Sequence, residues 1–222
     1  MGAGTTDNTL KMDPLAKWLY RSVLSKDYKH SVRDEHTKEL LALIGIESIN
    51  TGCPTLWNLT EDACSRIPRK KSDYSIISLS GYSSQTDEEM DRCFLHIMRK
   101  NYRKLWFWVQ TTEDEKYLQS LGFYDYEPIY SLKAFRDIAS SKKPDYVGTR
   151  LHGGVYALNN GCRSIVIGID HRATGFQKSN NLKVIQRTEI ANQLEEMIQS
   201  EFDTEIRIDQ KAIHDFKEQF LN

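Results

Sequence analysis

Residues 74–109 read YSIISLSGYSSQTDEEMDRCFLHIMRKNYRKLWFWV, and this stretch decides the fold. Its first six residues, Tyr74 to Leu79, are a short apolar run with the length of a buried strand. Thr86 and Glu89 then stand at capping-box spacing, and Met90, Phe94, Ile97 and Met98 recur on one face of the helix that follows. Leu105 to Val109 is apolar without alternation, as a strand buried on both faces must be. Strand, helix and strand at this spacing predict a crossover unit of a parallel sheet.

The alternation continues outward toward the C-terminus. Thr112 and Glu115 form a second capping-box pattern ahead of a helix carrying Tyr117, Leu118 and Leu121, which stops at Gly122. Pro128–Tyr130 reads as a short strand, Leu132–Ser140 as a helix, Tyr146–Val147 as a strand, and Gly154–Asn159 as a helix. Strands are expected at Ser164–Ile169 and Leu182–Ile185. A helix over Thr188–Phe202 gathers Ile190, Leu194, Met197, Ile198 and Phe202 on one side, and a last helix spans Gln210–Leu221. Residues 73–222 are thus predicted to be one α/β domain with a doubly wound, mostly parallel sheet.

Residues 1–65 look different. Asp13-Pro14 is a helix start, and Leu15, Trp18, Leu19, Ser22 and Val23 form its stripe. His30–Arg33 is strand-like, Glu35–Ile44 is a helix ended by Gly45, and Ile46–Ile49 is a strand leading to a turn at Asn50–Thr55. Two strands and two helices are too little for an independent sheet domain, so this is a partial α/β segment. The basic stretch Thr60–Ser72 reads as a linker, with the boundary at 66–72. Leu15, Trp18, Leu19, Val23, Leu40, Leu41, Ile44 and Ile46 need cover, either from the main domain or from a second copy, which points to a homodimer.

Composition narrows the function. With 30 basic and 31 acidic residues the net charge is −1, which argues against a nucleic-acid surface. No run approaches the roughly 20 apolar residues of a membrane span. The first eight residues lack a basic and apolar signal pattern, and Gly2 makes at best a weak myristoylation match. Cys53, Cys64, Cys93 and Cys162 are scattered without metal-ligand spacing, so no metal is expected and a cytoplasmic protein is.

The chemistry points to Gly148-Thr-Arg-Leu-His-Gly-Gly154, which lies between a strand and a helix. Parallel sheets bind ligands beyond the carboxyl ends of their strands. There, glycines permit close backbone approach and a helix start offers N–H groups to an anion. Arg150 adds a bidentate fork for carboxylate or phosphate, and His152 a group that transfers protons near neutral pH. In the plainer alternative Thr149 caps the helix and His152 bonds a loop carbonyl. Three other stretches, Ser31-Val-Arg-Asp34, Thr51-Gly-Cys-Pro-Thr-Leu-Trp57 and Asp170-His-Arg-Ala-Thr-Gly-Phe176, each allow an ordinary surface pair, turn or helix cap.

Taken in chain order, the four stretches resemble the polysaccharide pyruvyl transferase family, from about Tyr28 to Arg187. The resemblance implies two Rossmann-like domains facing a cleft, as in GT-B glycosyltransferases. It implies transfer of pyruvate from phosphoenolpyruvate to a sugar of a cell-surface or exopolysaccharide precursor as a ketal, without a metal or other cofactor. His152, Arg150 and Arg172 would be catalytic; Arg33, Gly148, Thr149, Leu151 and Gly153 would bind substrate, with Arg33 supplied by the first domain. At 172 the family commonly has lysine. Its glycine-rich segment near the N-terminus has no counterpart here. Two other classes fit the same residues: a nucleotide-sugar glycosyltransferase, with Arg150 on a diphosphate, and a non-catalytic remnant binding an anion or a partner.

Overall fold

The computed structural model describes residue 4 and residues 12–221; Gly2 lies outside them. In chain order the elements are α1 (Pro14–Val23), β1 (His30–Val32), α2 (Glu35–Ala42), β2 (Ser48–Asn50), α3 (Glu61–Ser65), β3 (Tyr74–Ser78), α4 (Glu88–Asn101), β4 (Lys104–Trp108) and α5 (Thr112–Ser120). They continue with β5 (Glu127–Ile129), α6 (Leu132–Lys142), β6 (Asp145–Gly148), α7 (Leu151–Asn159), β7 (Ser164–Gly168), α8 (His171–Asn180), β8 (Val184–Gln186), α9 (Glu195–Gln199) and α10 (Gln210–Glu218). The chain divides into two compact units, Leu59–Ile206 and Met1–Asn58 with Arg207–Asn222.

The larger unit is a doubly wound sheet of six parallel strands in the order β5-β4-β3-β6-β7-β8. Alternate residues of each central strand feed opposite faces. On one face Ile77, Phe107, Val147, Ile165 and Ile167 meet Phe94 and Met98 of α4, Leu118 of α5, and Ile190, Leu194 and Ile198. On the other, Ile76, Trp106, Trp108 and Tyr146 meet Phe135 and Ala139 of α6 and Ala157 of α7. The order reverses between β3 and β6. Their carboxyl ends therefore open the crevice in which such sheets take ligands.

Several local expectations shift. The caps are Asp87 and Thr111, each one residue from the threonine expected: Asp87 accepts the Met90 N–H, and Thr111 and Asp114 complete a reciprocal pair. Helix α7 begins at Leu151 rather than Gly154, so His152 and Gly153 are helical. The stretch expected as a helix from Thr188 opens with a 3-10 turn and a π turn at Ile190–Leu194 before α9. The expected linker instead carries α3 and buries Cys64 and Ile67.

The smaller unit holds the two-stranded parallel sheet β1-β2. Val32, Leu41, Ile44 and Ile46 form its core, with Met12 and Leu24 packed against them. Helix α10, expected in the main domain, belongs here: Ile213 and Phe216 are buried, and Phe220 stacks on Tyr28 at 5.3 Å. Helix α1 starts as read, with Asp13 accepting from the Ala16 N–H at 2.9 Å, yet it buries no residue.

Candidate functional site

Strand β6 delivers the decisive turn. The Thr149 N–H donates to the Ser78 carbonyl at 2.9 Å, and the Thr149 hydroxyl accepts from the Ser80 N–H at 3.0 Å, so the loops after β6 and β3 are laced together. The Tyr146 hydroxyl donates to the Arg150 carbonyl at 2.9 Å. Its one proton is thus used, and the 2.5 Å contact with Ser78 must run from the serine hydroxyl to the tyrosine oxygen. Burial pushes the Tyr146 phenol above its ordinary range.

The glycines serve packing. A Cβ on Gly148 would stand 2.5 Å from the Ser78 carbonyl oxygen, and one on Gly154 would stand 2.5 Å from Val166 and 2.9 Å from the Ser164 hydroxyl. One on Gly153 would strike the Tyr146 hydroxyl. None of the three has the positive φ of a left-handed turn, which occurs at Gly45, Gly52, Gly122 and Gly161. These glycines bring β6 against β3 and α7 against the sheet. Gly148, Thr149, Leu151 and Gly153 are buried and frame the site, while Arg150 and His152 reach its surface.

Arg150 stands at the N-cap of α7 without capping it through its side chain. Its Nη2 pairs with Asp114, its guanidinium lies over the Tyr82 ring at 5.0 Å, and its Nε has no acceptor. The Arg150 side chain is 17% exposed and that of Asp114 1%. His152, in the first turn of α7, is exposed and meets Phe176 of α8 edge-on at 6.0 Å. Arg172 lies in the first turn of α8, and its Nε and Nη2 donate to Asp170 at 2.9 and 2.6 Å. Asp170 caps the same helix by accepting the Arg172 N–H at 2.9 Å. Burial raises the Asp170 pKa, but the Arg172 bonds and charge outweigh it and hold the carboxyl below its usual value.

In the smaller unit Arg33 follows β1, with its Nε 3.3 Å from Asp34, whose other oxygen caps α2 through the Thr37 N–H at 2.7 Å. Each of the three expected cations therefore has a carboxylate beside it, and the local field is less positive than the arginines alone suggest.

The sequence reading missed the acids and hydroxyls. Thr111-x-x-Asp114 has the capping-box form in the sequence, but Thr112–Glu115 offers the same spacing one residue on and competes with it. Arg187 was missed too. Its Nη1 donates to the Gln85 carbonyl at 2.7 Å and its Nη2 lies 3.2 Å from Asp91, while Gln85 accepts from the Ser80 hydroxyl at 2.7 Å. Asp91 also accepts from the Tyr117 hydroxyl at 2.8 Å, and burial pushes its carboxyl up.

Among the described residues no helix is long and apolar enough to cross a membrane. No curated protein matches the chain. Among solved structures it is similar to S. aureus MnaA in a co-structure with UDP, at 14% identity and a TM-score of 0.48. That match covers 86% of this chain and 53% of the other, so this chain spans about half the length of that one. The family model for polysaccharide pyruvyl transferase matches residues 1–171, and the chain belongs to that family.

Proposed function

We propose that the protein transfers pyruvate from phosphoenolpyruvate to a sugar of a cell-surface or exopolysaccharide precursor, forming a cyclic ketal. One observation carries this reading: in a chain of this family, Arg150 and His152 stand together at the start of α7, beyond β6, at the switch point of the sheet. The donor carries a phosphate and a carboxylate. Arg150, Arg172 and a helix N-terminus suit such anions.

The chemistry turns on proton transfer. His152 protonates the methylene carbon of the donor, leaving an oxocarbenium-like centre at the adjacent carbon. A sugar hydroxyl attacks that carbon and returns its proton to His152. The carbon–oxygen bond to phosphate then breaks, a second hydroxyl closes the ring, and the departing phosphate takes up the second proton. Such acid/base work contributes about 10²–10⁴-fold in rate. Arg150 and Arg172 hold the donor and stabilise the leaving phosphate. The four cysteines are scattered without metal-ligand spacing, and we place the reaction in the cytoplasm.

A thermal-shift titration tests the donor. Phosphoenolpyruvate at about 100 times its dissociation constant is expected to stabilise the fold by roughly 2.7 kcal/mol, with uridine diphosphate giving no comparable shift. The reverse pattern would replace this reading with a nucleotide-sugar enzyme; no response to either would leave a non-catalytic remnant.

The same reading has the protein working as a homodimer. Leu15, Trp18, Leu19 and Val23 of α1 are all exposed, and an apolar stripe of this kind is a natural cover for its own copy. Light scattering at micromolar concentration is expected to give a dimer mass that Trp18→Glu lowers to a monomer. A monomer mass for the unmodified chain would remove this part of the reading.

A further inference from the structure

Three loops build the crevice at the switch point, those after β3, β4 and β6, and all three end on one carboxylate. Asp114 accepts the Gly81 N–H at 2.8 Å and an Nη2 proton of Arg150 on one oxygen. Its other oxygen accepts the Thr111 and Gln110 N–H groups at 3.1 and 3.3 Å. The Asp114 N–H in turn donates to the Thr111 hydroxyl at 3.3 Å, completing the capping box of α5. A capping box needs only the N-cap N–H, which one oxygen satisfies. The oxygen turned to Gly81 and Arg150 serves neither the cap nor α5. Its partners lie 33 and 36 positions away in sequence.

A separate observation agrees. A Cβ on Gly81 would overlap the Glu113 carbonyl and stand 2.6 Å from the Asp114 nitrogen. The loop after β3 thus lies against the first turn of α5 at a distance that only glycine permits, and the next residue, Tyr82, covers the Arg150 guanidinium. With four donors on two oxygens, Asp114 is close to filled as an acceptor.

We infer that Asp114 is a positioning residue for the donor site. It fixes the direction of the Arg150 fork and the place of the Gly81–Tyr82 loop, so that the remaining Arg150 donors face an anionic donor in one arrangement. This rests on the donor reading above, and touches the substrate only through Arg150.

The experiment uses the full chain and two readouts. In Asp114→Asn an amide replaces the carboxylate, and at least one of the four N–H groups loses its acceptor. Hydrogen exchange without ligand is expected to become at least tenfold faster at residues 79–82 and 149–152, as well as at 110–115. Thr111→Ala, which removes the cap partner but keeps the carboxylate, is expected to affect 110–115 alone. Faster exchange confined to 110–115 in Asp114→Asn, or equal loosening of all three loops in Thr111→Ala, would overturn the inference. If Asp114→Asn does not fold, the Thr111→Ala result still decides. Kinetically, Asp114→Asn is expected to raise the KM for phosphoenolpyruvate about tenfold, the lower end for a lost charge-assisted bond, with kcat much less changed. Ser131→Ala, which removes the cap of α6, is expected to move neither parameter. An unchanged KM beside normal wild-type turnover would refute the role of Asp114 and leave the donor reading standing. A wild type that ignores phosphoenolpyruvate would refute the donor reading, while exchange still judges Asp114.

Discussion

Strand β6 has an arginine–aspartate pair at each end, and the two pairs do different things. At its amino end Asp145 meets Arg163 at 2.8 Å, both side chains within 2% of full burial. Arg163 spends its other amino group on the carbonyls of Met197, Ile198 and Ser200, at 2.9, 3.1 and 2.8 Å, and its guanidinium lies over Phe202 at 4.1 Å. That is a C-cap for α9, supplied from the residue just before β7. Tyr102 donates to Asp145 at 2.8 Å, so this pair is closed to ligands. At the carboxyl end Arg150 shares its charge with Asp114 but keeps a solvent-facing edge. Residue type does not separate a structural pair from a site pair. The company each guanidinium keeps, and whether water reaches it, does.

Breaking the closed pair gives the largest expected loss of stability. Arg163→Ala leaves Asp145 buried and uncompensated, which costs about 3–5 kcal/mol. Urea unfolding would show it, while the KM for phosphoenolpyruvate per folded molecule is expected to hold. A raised KM there would erase the distinction between the two ends.

Breaking the open pair is expected to act on binding. Arg150→Ala removes a charge-assisted contact of roughly 1.5–3 kcal/mol, so donor affinity falls by about 10- to 100-fold. His152→Ala sharpens the contrast: donor affinity is expected to stay near wild type while turnover falls about 10²–10⁴-fold. Wild-type turnover in His152→Ala on a proven acceptor would transfer the acid/base role to another group.

The smallest effect concerns Asp170. Its folded pKa lies below the ordinary carboxylate value of about 3.9, so its stabilisation is present above that value and is lost as pH falls through the folded pKa. Asp170→Asn is accordingly expected to make stability fall less steeply with acid below pH ~4. An unchanged slope would show that the Arg172 contact contributes nothing.

The sheet was legible because its strands are apolar on both faces and its helices carry period and caps. Leu105–Val109 and Ser164–Ile169 could be little else. The start of α7 was misread because Gly153 and Gly154 look like loop residues, whereas the tight approach of α7 to Tyr146 and Val166 is what demands glycine. Local pattern does not contain that neighbour. The acids paired with Arg150 and Arg163 stand 36 and 18 positions away, at no period, and only the folded chain pairs them. Arg150 and His152 were legible for the opposite reason, since they lie within one short segment. In the smaller unit the periodicity foretold α1 correctly, and Leu40, Leu41, Ile44 and Ile46 are buried as expected, but Leu15, Trp18, Leu19 and Val23 are not.

The bond between Lys29 and Gln219 bears on how the chain is made. The Lys29 N–H donates to the Gln219 side-chain oxygen at 2.8 Å, and the Gln219 amide donates back to the Lys29 carbonyl at 3.0 Å, across 190 positions of sequence. Ribosomes release the chain from its N-terminus, so Leu59–Ile206 is a contiguous stretch able to close once its last strand and helix emerge. The β1-β2 sheet, released earlier, lacks α10 until the whole of Leu59–Ile206 has been made. At roughly 5–20 residues per second that delay is on the order of 10–30 s. Strands β1 and β2 are made before Leu59–Ile206, and α10, which completes their unit, is made after it.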